Sequence, residues 1–364
     1  MASLSEVAGT RLAKLAGTMT LTRDITVIGA SAGGITALRT ILGQLPADYP
    51  AAVFAVLHLA PESPPVLHDI LARSSKLPVR LATSGDRIRR GQVSVAPPDY
   101  HLVLERDVIR VTHGPRENRH RPSIDVLFRS AAVAYGPRVV GVVLSGMLDD
   151  GTAGMWAIKR RGGVAVVQDP DTADYADMPR NVLESVSVDQ CVPLAEIPQR
   201  LMTLSREAVV EPVDAVPRSM AHEVRMAREE QSDMEELDSL GSRVPFTCPE
   251  CGGSLWELSE SSTQRFRCHV GHAYSIQTLA AEQTSRVEAA LWAALRSMEE
   301  NERLSRRMAI EAGRRGNVAS ASNYIENAQS SAEHAEVLRR LLSGGAERSQ
   351  STGASESVNV EGGK

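Results

Sequence analysis

Three groups of residues in this chain have the types and spacing for chemistry. Ser31 lies in Gly29-Ala-Ser-Ala-Gly33, where the apolar run beginning Ile25-Thr-Val-Ile gives out. A glycine-flanked serine at a strand-to-helix turn exposes its hydroxyl, because small neighbours let the backbone bend sharply and let a carbonyl come close. The same turn also suits phosphate or a dinucleotide, so the motif by itself leaves acyl transfer and nucleotide binding open. His58 closes a second apolar run, Ala52-Val-Phe-Ala-Val-Leu, and Asp149-Asp-Gly151 follows a third, Arg138-Val-Val-Gly-Val-Val-Leu. A serine hydroxyl is a weak nucleophile at neutral pH; an imidazole can take its proton, and a carboxylate can hold the imidazole's tautomer and stabilise its cation. Ser31, His58 and Asp150 are the candidates for these roles. Asp149 is adjacent and equally charged, and spacing does not separate the two. Read singly, a strand-end histidine is a hydrogen-bonded structural residue and Asp-Asp-Gly is a turn; read jointly, three strand ends favour one site.

The elements that must position these groups are continuous apolar runs closed by turn residues, the pattern of strands buried on both faces. Such strands build a doubly wound, mostly parallel α/β sheet, and ligands sit outside its carboxyl ends. Met155, Trp156 and Ile158, just beyond Gly151, read as core.

In order along the chain, Gly29-Ala-Ser-Ala-Gly-Gly34, His58-Leu-Ala-Pro61, Val95-Ala-Pro-Pro-Asp-Tyr-His101, His120-Arg-Pro-Ser-Ile-Asp125, Ser145-Gly-Met-Leu-Asp-Asp-Gly151, Gln168-Asp-Pro170 and Met178-Pro-Arg180 stand as a series. This series resembles the catalytic domain of the chemotaxis protein-glutamate methylesterases, the CheB type, over residues 22–205, about half the chain. The resemblance implies Ser31 as nucleophile, His58 as base, Asp150 rather than Asp149 as the third member, and the Met147 amide as an oxyanion donor. The Ala32 amide, next to the nucleophile, is a second donor on geometric grounds. The implied substrate is a methylated glutamyl side chain on a chemoreceptor-like helical bundle, with glutamine deamidation second and no cofactor for catalysis. The chain order serine, histidine, aspartate differs from that of the usual α/β-hydrolases and argues against a lipase-like enzyme. A catalytically silent signalling adaptor that keeps the fold for docking is the alternative. Many members carry a receiver domain first; the residues ahead of Ser31 are too few for one, so phosphorylation in cis is not expected. Arg121-Pro-Ser-Ile-Asp125 reads as a helix start in preference to a substrate contact.

With 364 residues, 42% hydrophobic and 23% charged, the chain can bury one sizeable core plus an appendage. No run is long and apolar enough to cross a bilayer, so a cytoplasmic protein without membrane insertion is expected. A net charge of −5 with no basic block argues against nucleic acid as main partner.

Cysteine usage adds a second centre. Cys248-Pro-Glu-Cys251 and Cys268-His-Val-Gly-His272 offer three thiolates and an imidazole at zinc-knuckle spacing. Cys248, Cys251, Cys268 and His272 are the expected ligands, with His269 the competitor of His272; four protein ligands make a structural Zn²⁺. Trp256, Phe266 and Tyr274 would seal so small a unit, whereas the isolated Cys191 reads as buried core. Further on, Leu279, Val287, Leu291, Leu295 and Met298, then Ala321, Ile325, Ala328, Ala332, Ala335 and Leu338, recur at helical spacing around a break at Gly313-Arg-Arg-Gly316. Two antiparallel helices are predicted, serving dimerisation or docking on a helical partner. The expected organisation is a leader at 1–21, the catalytic domain at 22–205, a solvated linker at 206–243, the knuckle at 244–275, the helical hairpin at 276–343 and a disordered tail at 344–364.

Overall fold

Strands without polar alternation are stable only when both faces are covered, and they form the centre of this fold. The computed structural model describes residues 21–210, 215–229, 234–260 and 263–351. In chain order the first strands are β1 (Ile25–Ala30), β2 (Ala52–Leu57), β3 (Val79–Leu81), β4 (Val93–Val95), β5 (His101–Glu105), β6 (Val108–Thr112), β7 (Val139–Val143), β8 (Val164–Gln168) and β9 (Gln190–Val192). Seven of them make one sheet in the order β3-β4-β2-β1-β7-β8-β9, every neighbouring pair parallel, while β5 and β6 pair as a separate antiparallel hairpin.

Helices cover both faces. On one side lie α1 (Gly34–Gln44), α2 (Leu67–Ala72) and α6 (Ile197–Leu204); on the other lie α3 (Ile124–Tyr135), α4 (Thr152–Arg160) and α5 (Asp177–Ser185). Strand alternation divides the core accordingly: Ile25 and Val27 pack toward Leu127 and Phe128, and Ile28 and Ala30 toward Leu38 and Ile41. Each fully buried branched side chain of this kind contributes about 1.5–3 kcal/mol. From β1 the chain winds outward through β2, then returns on the other side of β1 as β7. The connections therefore diverge between β1 and β7, and their carboxyl ends open a crevice.

A second, four-stranded antiparallel sheet follows: β10 (Gly241–Thr247), β11 (Ser254–Leu258), β12 (Arg265–Cys268) and β13 (Ala273–Ser275). Its core is small: Cys248, Leu255, Phe266, Cys268, Tyr274 and Leu279. Before it, the stretch expected as a solvated linker carries α7 (Arg218–Ala227) and α8 (Met234–Leu240). In α7, Met220, Val224 and Ala227 recur at helical spacing and are buried, and the buried Glu223 faces arginines rather than water. Glu223 reads as a solvated charge in the sequence because its partners, Arg265 and Arg267, lie some forty residues further along the chain. Cys191 is exposed rather than buried, since β9 is the edge strand of the large sheet.

The chain divides into two units, Met1–Leu279 and Ala280–Lys364. Most of the second unit is formed by α9 (Ile276–Arg314) and α10 (Val318–Ser351), separated at Gly316, whose φ of +74° suits glycine. Asn301 donates to Ser331 at 3.1 Å and Arg339 pairs with Glu299 at 2.7 Å, an antiparallel register. The buried seam consists of Leu295, Ser305 and Ala309 with Ala328, Ser331 and Ala335, whereas Val287 and Ile325 of the expected stripes are exposed. The helix continues through Gly344-Gly345 to Ser351, into the stretch expected to be disordered. Residues 1–20 of the expected leader and 352–364 of the tail lie outside the described residues. No described helix is long and apolar enough to cross a membrane.

Candidate active site and metal centre

Ser31 follows β1 directly, and its amide donates to Ser145 O at 3.0 Å, tying the turn to the end of β7. Gly33, with φ +75°, turns the chain into α1. Gly146 is required by crowding: a Cβ there would collide with Met178 Sδ and stand 2.9 Å from Ser31 Cβ. Ser145 braces the same corner, its hydroxyl donating to Ala32 O at 2.8 Å and accepting from Tyr175 N at 2.9 Å.

The strand ends bring Ser31, His58 and Asp150 into series. His58 Nδ1 is 3.1 Å from Ser31 Oγ, and His58 Nε2 is 2.8 Å from Asp150 Oδ2. The ring is reversed relative to the trypsin-type arrangement: the carboxylate keeps the proton on Nε2, and the lone pair of Nδ1 faces the serine. Asp150 is buried and accepts four further hydrogen bonds, from Asn118 Nδ2 at 3.0 Å, Ser123 Oγ at 2.9 Å, Ile124 N at 2.7 Å and Asp125 N at 3.3 Å. Arg121-Pro-Ser-Ile-Asp125 is thus a helix start with a second use, since the open amides of α3 and their dipole face this carboxylate. Burial pushes the Asp150 carboxyl up, but the hydrogen bond from His58, supported by that from Asn118, holds it well below the usual carboxylate range. It stays an anion.

Asp149, which spacing did not separate from Asp150, turns away: it accepts from Ser275 Oγ at 2.9 Å, and burial pushes it up to about 6. Asp125 accepts from Asn118 Nδ2 at 2.9 Å, Gly151 N at 3.0 Å and Gly154 N at 2.6 Å; burial, then the neighbouring Asp150 charge, raise it to about 7. His120 stacks on His58 with centroids 3.5 Å apart and planes 7° from parallel. Burial, then the adjacent His58, push the His120 imidazole down to about 3, so it is a neutral lid over the ring. His101 is buried behind, donating from Nε2 to Pro115 O at 2.9 Å and accepting from Ser123 N at 3.2 Å.

Among the described residues, neither the Met147 nor the Ala32 amide has a hydrogen-bond acceptor, and both residues belong to the turns flanking Ser31. Beside His58 lies a cavity of about 330 Å³ lined by Leu59, Ala60, Pro61, His120 and three arginines, Arg116, Arg119 and Arg121. Its walls are cationic although the chain as a whole is acidic.

Cys248, Cys251, Cys268 and His272 converge, with all four ligand atoms within 4.8 Å of one another. Cys251 Sγ lies 3.7 Å from Cys268 Sγ, and His272 Nδ1 lies 3.7 and 3.6 Å from Cys248 and Cys268 Sγ. A tetrahedral zinc with Zn–S about 2.3 Å and Zn–N about 2.0 Å requires ligand separations of about 3.5–3.8 Å, so this donor set fits the ion. A disulfide would need about 2.05 Å. His272 Nε2 is 3.2 Å from Glu250 Oε2, the carboxylate partner that orients a ligating imidazole. His269 is outside the cluster, with its ring beside Gly253.

Sequence reasoning missed Asn118 and Glu117. Glu117 is buried between Arg129 and Arg267, and Glu223 between Arg265 and Arg267. These five charges join α3, α7 and β12, and Arg129 and Arg267 outweigh burial to hold Glu117 at about 2. The one sequence hint was an asparagine just ahead of His120-Arg-Pro-Ser, a residue type that tolerates the left-handed backbone seen at Asn118, φ +49°.

A hydroxyl, an imidazole and a buried carboxylate in series at the switch point of a parallel α/β sheet make the geometry of a serine hydrolase. The CheB methylesterase family model matches residues 26–201. A Leptospira interrogans protein, provisionally named protein-glutamate methylesterase/protein-glutamine glutaminase, is 41% identical over 181 residues, 50% of this chain and 94% of that one. Protein-glutamate methylesterase/protein-glutamine glutaminase 2 of Anaeromyxobacter dehalogenans is 43% identical over 183 residues, again 50% of this chain but 54% of its own length. The crystal structure of the Thermotoga maritima CheB methylesterase catalytic domain aligns at 32% identity and a TM-score of 0.48, covering 50% of this chain and 98% of that one. The chain belongs to the CheB methylesterase family.

Proposed function

We propose that this chain is a protein-glutamate methylesterase that hydrolyses glutamyl methyl esters on a chemoreceptor-like helical bundle, with Ser31, His58 and Asp150 as its catalytic residues. The observation that carries the reading is the unbroken series from Ser31 Oγ through His58 Nδ1 and Nε2 to Asp150 Oδ2. Ser31 Oγ attacks the ester carbonyl while its proton passes to His58 Nδ1; the Met147 and Ala32 amides receive the developing oxyanion. The protonated ring returns the proton to the departing methoxide, methanol leaves, and a water activated by the same nitrogen releases the glutamyl acid from Ser31. Glutamine deamidation follows the same path with ammonia leaving, and is slower because an amide is the harder acyl donor. The arginines of the cavity beside His58 suit a substrate surface rich in carboxylates.

Cys248, Cys251, Cys268 and His272 would hold a structural zinc, which when bound closes the small antiparallel sheet and leaves no position for substrate. The exposed Trp292, Leu304 and Ile310 of the hairpin are the side chains through which self-association would run, and the mass of the full chain in solution tests that role. Methanol release from a methylated receptor, compared between wild type and Ser31→Ala, tests the central claim. Loss of about 10³-fold or more is expected. Equal rates would leave the silent adaptor as the better reading.

A further inference from the structure

The carboxylate of Asp150 is tied to the metal-binding sheet through a single side chain. Asn118 lies in the loop before α3, and its buried carboxamide uses all of its hydrogen-bonding capacity. Its Nδ2 donates to Asp150 Oδ1 at 3.0 Å and to Asp125 Oδ2 at 2.9 Å. Its Oδ1 accepts from Ser275 N at 3.0 Å and Thr278 Oγ1 at 3.2 Å, and its own amide donates to Ala273 O at 2.8 Å. Only an amide suits this position: two donors meet two carboxylates, and one acceptor meets two donors. An aspartate would set acceptor against acceptor.

The donors on the far side of Asn118 lie next to the metal ligands. Ser275 ends β13, three residues after His272; β13 pairs with β12, which ends in Cys268, and through Ala273 it also bridges Glu117. Cys268 N donates to His272 O at 3.0 Å, so the ligand pair forms the turn that sets the register of the two strands. A sheet whose core is six residues needs such a clasp.

We propose that Asn118 is a positioning residue for Asp150, and that metal occupancy of the Cys248, Cys251, Cys268 and His272 cluster sets esterase activity by fixing Ser275 and Thr278 against it. This rests on the hydrolase reading of Ser31, His58 and Asp150. When the cluster opens, Ser275 N leaves Asn118 Oδ1, the carboxamide turns, and Asp150 loses one of its five donors. Zinc in this arrangement controls the triad from behind without touching substrate.

The test uses the full chain, zinc-loaded or stripped by a chelator, with metal content measured by mass spectrometry. Two readouts are taken: kcat and KM for methanol release from a methylated receptor, and the rate at which a fluorophosphonate labels Ser31. Stripping should lower kcat and the labelling rate together about tenfold, the worth of one hydrogen bond to a charged group, with KM unchanged and recovery on adding zinc chloride. Asn118→Gly, which suits the left-handed backbone, should show the same loss while still holding zinc, and stripping it should cost less than a further twofold. A stripped, folded wild type at full kcat overturns the proposal. So does a zinc-loaded Asn118→Gly at full kcat, a result obtainable even where the stripped chain precipitates. Labelling does not depend on the natural ester, so preserved labelling without methanol release would sink the substrate reading alone.

Discussion

Replacing Asp150 by asparagine changes one atom in the most heavily bonded carboxylate of the site, and the surroundings determine what that costs. Oδ2 receives His58 Nε2 and Ile124 N; Oδ1 receives Asn118 Nδ2, Ser123 Oγ and Asp125 N. If the new NH₂ takes the Oδ1 position, the imidazole keeps its tautomer and loses only the neighbouring charge. For unit charges about 4 Å apart at an effective dielectric constant near 20 that is about 4 kcal/mol, or about 10³ in rate. If the NH₂ takes the Oδ2 position, it faces Nε2 as a donor, the ring proton moves to Nδ1, and Ser31 loses its base, a loss of about 10⁴. At the Oδ1 position two fixed donors, Asn118 Nδ2 and Asp125 N, face the NH₂, and at the Oδ2 position Ile124 N does, each costing about 1–3 kcal/mol of stability. Asp150→Asn should therefore lower kcat for methanol release by about 10³–10⁴-fold and lower the melting temperature. Asp149→Asn, whose carboxyl faces Ser275, should stay within a few-fold of wild type. An Asp150→Asn enzyme within tenfold of wild type, or equal losses in both variants, would refute the assignment.

His120 takes up no proton in the folded chain until about pH 3, whereas an unfolded histidine does so near 6.5. Stability due to this group is therefore lost as pH falls from about 6.5 toward 3, by about 1.4 kcal/mol per pH unit. His120→Phe keeps the stack on His58 and should lack that acid-limb loss in denaturant titrations at stepped pH; parallel curves for the two chains would contradict the partly buried, neutral ring. Glu223→Gln leaves Arg265 and Arg267 short of an anion in a buried cluster, at a cost of about 3–5 kcal/mol. Calorimetry should find the first unit melting on the order of 10 °C lower, and a shift of only a degree or two would mean that water reaches these charges.

Local features of the sequence carry much of this architecture. The strand, turn and helix around Ser31 are legible because an apolar run, two glycines and a small-residue turn coincide within ten residues. The parallel sheet is legible from unbroken valine-rich runs, and the convergence at the crevice follows once three chemical groups end three such runs. The cysteine spacing likewise marks one cluster. Relations between distant segments are not legible. Asp149 and Asp150 differ only in which donors reach them, and those donors come from Ser275 on one side and the start of α3 on the other. Glu223 looks like one more solvated charge until Arg265 and Arg267 arrive on β12. Cys191 looks apolar and interior, yet the strand order that puts β9 at an edge is a property of the whole sheet.

The arginines of β12 bear on how this protein could be divided. Excising residues 26–201, the stretch common to the family, would leave Glu117 and Arg129 with a freshly bared flank and strand Asn118 without its acceptor-side partners. That half alone would then be a poorer esterase than the intact chain rather than a minimal one. Anyone transplanting this esterase into another scaffold should carry residues up to Thr278 with it, because the Asp150 carboxylate is braced, through Asn118, by sequence that lies well beyond the stretch matched by the family model.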